Sequence, residues 1–104
     1  MKSNSKAVDD FKHTTSFLAA LGDPIRLQII RFLGQKGQSN VKDIAEQFDL
    51  SRPAISHHLK ILKMAAAVDS RKAGQEVYYW LQREHVVSTL QQIAEDTSQM
   101  RNGQ

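Results

Sequence analysis

Apolar residues recur along this chain first at helical spacing and then, briefly, at strand spacing. In VDDFKHTTSFLAALG, Val8, Phe11, Leu18 and Leu21 fall at roughly helical intervals and Gly22 offers a stop, which predicts a first helix. DPIRLQIIRFLGQKG places Asp23 as an N-cap and Pro24 at the first helical position of a second. Ile25, Ile29, Phe32 and Leu33 form its apolar stripe, and Gly34 and Gly37 punctuate its end. NVKDIAEQFDL gives a short third helix from near Asn40, with Val41, Ile44, Ala45 and Phe48 inward. Asp49 and Leu50 form a tight turn, and Ser51 caps a fourth helix whose Ile55, Leu59 and Leu62 point to the core. Pro53 is tolerated there because a first-turn N–H has no intrahelical partner.

After Val68 the period changes. VDSRKAGQEVYYWL holds two short strand-like runs around Gly74-Gln75, a hairpin signal. REHVVSTLQQIAEDT returns to helix, with Val86, Leu90, Ile93 and Thr97 on one face. The order is four helices, a hairpin and a final helix. Two short helices joined by a tight turn and followed by a hairpin describe a winged helix-turn-helix, a mainly α fold with a small β wing. Its 104 residues fit one domain, 1–104, with 1–6 and 98–104 as frayed tails. A core of that size is marginal alone, so burial of further surface in a homodimer is expected.

Composition narrows the function. The absence of Cys excludes disulfides, thiolate metal sites and thiol redox switching, and agrees with a reducing cytosol. The start has no apolar signal region and no apolar run nears the ~18 residues that cross a bilayer, so the expectation is a soluble, cytoplasmic protein without a membrane partner. The net charge of +3 is unevenly spread: residues 51–72 carry +4 and the remainder −1. Positive charge focused in one segment suits a surface that meets a polyanion.

That segment begins with SRPAISHHLKILK. With Ile55, Leu59 and Leu62 inward, Arg52, Ser56, Lys60 and Lys63 share an outward face, with Ser51, Pro53 and His57 alongside. Such a face suits the major groove of double-stranded DNA, where Arg reads guanine and a helix N-terminus favours phosphate. Arg71, Lys72 and Gln75 on the wing are placed for flanking phosphates or the minor groove. His57 points outward to DNA; His58 adjoins Leu59 and Leu62 at the core edge and reads as a packing and hydrogen-bonding residue. Adjacent helical residues sit about 100° apart, so the two histidines are not a metal pair, for which i, i+4 is the useful spacing. No nucleophile–base pair, phosphate loop or HExxH motif is present, which argues against an enzyme and implies no cofactor.

ALGDPIRLQIIRFL, VKDIAEQFDLSRPAISHHLKILK and RKAGQEVYYWL together resemble the ArsR/SmtB family of winged-helix repressors over residues 18–81. The SHHL run followed by the wing VYYWL is the specific part. The resemblance implies a homodimer built by the first and last helices, here through Val8, Phe11, Leu18, Val86, Leu90 and Ile93. It also implies operator binding that ends when an effector arrives. The family's arsenic and cadmium sensors carry Cys-x-Cys where this chain has Asn40 and Lys42, and neither side chain supplies a thiolate. Its last-helix zinc sensors have four ligands where this chain has Arg83, His85, Asp96 and Gln99, leaving His85 and Asp96 as the candidate metal residues; His13 is a further histidine to consider.

The expected function is therefore a sequence-specific repressor without the conventional metal site, constitutive or answering an unknown effector. Two alternatives stand: a zinc- or nickel-responsive repressor using His85 and Asp96 across the dimer, and a winged-helix protein-interaction module. The latter needs an apolar or acidic recognition face, against which Arg52, Lys60 and Lys63 argue. A second departure from the family is Ala66-Ala67 in place of Gly-Leu. Either Ala66 adopts a left-handed cap, at a cost on the order of 1 kcal/mol relative to Gly, or the fourth helix runs longer.

Overall fold

In the computed structural model, which describes the backbone of residues 2–103 and the side chains of residues 11–103, the first helix (α1) spans Lys2–Leu21. It begins ahead of Val8, through residues read as a tail from their lack of apolar period; a helix once nucleated propagates without one. The second (α2) spans Pro24–Lys36, and its first turn is capped by Asp23, whose carboxylate accepts the Arg26 N–H at 3.0 Å. The helix ends at Gly37, where φ is +101° and the N–H returns to the Leu33 carbonyl at 2.8 Å. Gly34, read as a helix end, lies inside α2 instead. Packing is close there: a Cβ would lie 3.3 Å from Leu81 Cδ2, which would have to give by a few tenths of an ångström.

A strand follows (β1, Gln38–Asn40) that the hydrophobic pattern did not indicate. Three polar residues carry no period-2 signal; pairing makes them a strand. Ser39 faces Tyr79 in an antiparallel register that also joins Gln38 to Trp80 and Asn40 to Tyr78. Next come α3 (Val41–Phe48), α4 (Arg52–Met64), the hairpin strands β2 (Val68–Ala73) and β3 (Glu76–Leu81), and α5 (Arg83–Ser98). The sheet order is β1-β3-β2, all antiparallel, so the expected two-stranded wing is rooted in a three-stranded sheet.

The core lies where α2, α3 and α4 meet, with Ile29, Leu33, Ile44, Ile55, Leu59 and Leu62 fully buried. Each such side chain contributes about 1.5–3 kcal/mol relative to exposure. From α1 the core takes Phe17 and Ala20, a face the pattern reading passed over, and Leu21 packs against it. Phe11 and Leu18 belong to another face and remain 71% and 43% exposed. α5 buries no residue fully; Leu90 is 43% exposed and Val86 and Ile93 are half-buried. Val8 lies outside the described side chains. Among the described residues, no helix is long and apolar enough to cross a membrane.

α4 stops at Met64 and does not run on. Ala66 takes φ +60°, its N–H bonds to the Lys63 carbonyl and the Ala67 N–H to the Leu62 carbonyl, both at 3.0 Å. Those two bonds satisfy carbonyls of the last turn in a left-handed cap that glycine normally fills.

Candidate nucleic-acid interface

The turn between α3 and α4 is built from three residues. Asp49 is left-handed at φ +52°, a conformation that Asp tolerates better than most side chains, and its N–H reaches the Glu46 carbonyl at 3.4 Å. The Leu50 N–H bonds to the Ala45 carbonyl at 3.1 Å, which closes α3, while half-buried Leu50 packs on the core. Ser51 then caps α4, its Oγ accepting the Ala54 N–H at 3.2 Å. Pro53, in the first turn, removes no helical hydrogen bond.

Burial of Ile55, Leu59 and Leu62 fixes which way α4 faces. Arg52, Pro53, Ser56, His57, Lys60 and Lys63 are all exposed, as is Ser51, so the sequence-predicted set shares the solvent side of one helix. The first turn contains no acidic residue, leaving the positive end of the helix dipole uncompensated. In the wing, β2 and β3 pair down to Ala73 opposite Glu76, leaving Gly74-Gln75 as a two-residue turn with Gly74 at φ +64°. Arg71, Lys72 and Gln75 are exposed there.

Two connections were not legible beforehand. Lys63 Nζ donates to Ser70 Oγ at 2.7 Å, joining the end of α4 to β2. Arg26 Nη1 lies 3.3 Å from Nδ1 of half-buried His58, matching the packing and hydrogen-bonding role expected of that histidine. The DPIR run signals a helix start but not the reach of its arginine. Asp23, at the same junction, has its carboxyl held below the ordinary carboxylate value. The main-chain N–H of Arg26 is the first cause, opposed by desolvation and aided by the positive charge of Arg26.

The metal candidates are not brought together within the chain. His85 and Asp96 are roughly 16 Å apart along α5 at about 1.5 Å per residue. His85 Nε2 instead meets His13 Nε2 of α1 at 3.2 Å, and Asp96 accepts from Gln92 Nε2 at 2.9 Å. All of these line an open groove of about 930 Å³ between α1 and α5, beside Phe11 and Ile93. Among the described residues, no cluster of three or more His, Cys, Asp or Glu could hold a metal. Asn40, at the position of a sensor cysteine, uses its Oδ1 to accept the Asp43 N–H at 2.9 Å and so caps α3.

Residues 23–68 match the family described as bacterial regulatory protein, arsR family. The chain is 45% identical over 62 residues to the transcriptional repressor SdpR of Bacillus subtilis, covering 60% of this chain and 68% of that one. It is 35% identical over 95 residues to an uncharacterized HTH-type transcriptional regulator, MJ1325, of Methanocaldococcus jannaschii, covering 91% of this chain and 99% of that one. Among solved structures, an ArsR-like transcriptional regulator from Rhodococcus sp. RHA1 superposes with a TM-score of 0.75 at 27% identity, over 85% of this chain and 82% of that one.

Proposed function

Because the chain belongs to the arsR family of bacterial regulatory proteins, it is a DNA-binding transcription regulator and not an enzyme, and we propose that it acts as a homodimeric repressor of an inverted-repeat operator. The observation that carries this reading is the solvent face of α4. It joins Arg52, Ser56, His57 and Lys60 on one side of a helix whose other side is buried, with the Arg71–Lys72 wing beside it. α4 enters the major groove with Arg52 at a base edge, Ser51 and the helix N-terminus at phosphate, and Lys60 and Lys63 along the backbone. Arg71, Lys72 and Gln75 of the wing follow the flanking backbone. A regulator bound to chromosomal DNA acts in the cytoplasm.

The exposed Phe11, Leu18 and Leu90, with Val86 and Ile93, support a dimer through α1 and α5. Two-fold symmetry sets the half-sites about one helical turn, or a multiple, apart. The capping role of Asn40 and the charge of Lys42 support a repressor that lacks the conventional metal site.

Fluorescence anisotropy on DNA from the protein's own upstream region, with zinc or with chelator, tests the reading. Tight, zinc-independent binding is expected, lost in an Arg52→Ala/Lys60→Ala variant that remains dimeric. Unchanged affinity in that variant refutes the interface. Zinc-dependent release abolished by His85→Ala would replace the metal-independent reading with a shared site at His85 and Asp96.

A further inference from the structure

Arg26, in the first turn of α2, is half-buried and reaches two other helices with its side chain. Its Nε donates to the Ala20 carbonyl at 2.6 Å and its Nη2 to the Ala19 carbonyl at 3.3 Å, so it closes the C-terminal turn of α1. Its Nη1 meets His58 Nδ1 of α4 at 3.3 Å. A guanidinium only donates. His58 Nδ1 must therefore present a lone pair, which makes the ring neutral with its proton on Nε2. One cation thus fastens the end of α1 to the helix that carries Arg52, Ser56 and Lys60.

We infer that Arg26 is a positioning residue that sets the pose of α4 through neutral His58, so that protonation of His58 weakens operator binding. The inference rests on the DNA-binding reading of α4. Protonation removes the acceptor and sets a second cation 3.3 Å from the guanidinium, in a half-buried place where charges are poorly screened. The ionisable groups around His58 are Arg26 from α2, Asp23 from the link before it, and His57 from α4, whose ring centroid is 6.0 Å away. The α1 carbonyls of Ala19 and Ala20 bond to Arg26. Among the described residues, α3 and β2 give His58 no hydrogen bond or ion pair. Asp23 favours a charged His58, but its carboxylate accepts from the Arg26 N–H, whereas Arg26 Nη1 faces the imidazole nitrogen directly.

Exposed His57 acts in the opposite sense, since an imidazolium beside phosphate strengthens binding in acid. The test therefore removes it. Operator affinity is measured at about pH 8 and about pH 5.5, the span over which histidine changes charge, in His57→Gln and in His57→Gln/His58→Asn. Asparagine offers an acceptor oxygen near the Nδ1 position at either pH. His57→Gln should lose about tenfold in affinity in acid, the scale of one hydrogen bond to a charged group, and the added His58→Asn should remove most of that loss. A flat or rising affinity in His57→Gln, or an undiminished loss with His58→Asn, overturns the inference. If no variant binds specifically even at the higher pH, the DNA reading itself fails, and nitrogen NMR of the imidazole decides the link alone. A neutral His58 protonated on Nε2, altered by Arg26→Gln, supports it; a ring protonated on Nδ1 overturns it.

Discussion

Lys63 and Ser70 are joined by a 2.7 Å hydrogen bond that ties the last turn of α4 to the first strand of the wing. The two basic residues at this end of α4 are therefore unequal: Lys63 uses a donor inside the protein, and among the described residues Lys60 makes no such bond. Replacing Lys60 by Ala should reduce the slope of log affinity against log salt by about 0.9, the release due to one phosphate contact. Lys63→Ala should reduce it by less. A salt titration of operator binding measures both slopes, and equal reductions would show that Lys63 leaves Ser70 for the backbone.

Ala66 sits at φ +60° in a cap that glycine would fill without steric cost. Ala66→Gly should raise stability by about 1 kcal/mol, since the relief of the left-handed penalty exceeds the entropy that glycine adds to the unfolded chain. In a domain of this size that is about 4–8 °C in Tm. Thermal unfolding at fixed protein concentration checks it, and a lower Tm would mean the cap is not strained.

Those elements whose periodicity and caps agree were legible in the sequence. Asp23 and Ser51 cap the helices assigned to them, the third helix starts beside Asn40, and Ile55, Leu59 and Leu62 face inward, which fixes the outward face of α4. The strand at Ser39 was not legible, because its identity comes from Tyr79, far along the chain. Nor was the burial of Phe17 in preference to Phe11, which depends on which side of α1 the other helices occupy. Long side chains were the hardest. Nothing local distinguishes Arg26, which reaches three backbone and ring atoms on α1 and α4, from Arg31, which lies exposed on the same helix.

Asp23 carries a pH prediction. Its carboxyl is depressed in the folded state, so its contribution to stability is present above the ordinary carboxylate value and is lost as pH falls through the lowered one. Asp23→Asn keeps a capping oxygen but cannot ionise. Compared with the parent across the acid range, it should be less stable near neutrality, and the gap should close as the parent's carboxylate is protonated. A gap that is constant with pH would show that the charge of Asp23 contributes nothing.

Ser39 is 2% exposed, and its Oγ has no hydrogen-bond partner among the described residues. A buried hydroxyl that forfeits its water without replacement costs about 1–3 kcal/mol. Ser39→Ala removes that cost, leaves the β1–β3 backbone pairing intact and should stabilise the fold by about 1 kcal/mol, read as a higher urea midpoint with an unchanged m-value. Destabilisation would mean the hydroxyl has a partner in solution.

Leu90 separates the two possible uses of the α1–α5 apolar surface. It is 43% exposed on a helix that buries no residue fully, so Leu90→Glu should cost the isolated subunit little. In a symmetric dimer the same change occurs twice at one interface. Removing two apolar contacts of about 1.5 kcal/mol each weakens association by about 3 kcal/mol, or ~100-fold in Kd, before any repulsion between the carboxylates. Sedimentation over a dilution series should show a dimer for the parent and a monomer for Leu90→Glu, with helical content retained in both. The monomer should also lose operator affinity, because one α4 holds only one half-site. If Leu90→Glu instead melts the protein without changing its mass, α5 packs only against its own subunit and the dimer lies elsewhere.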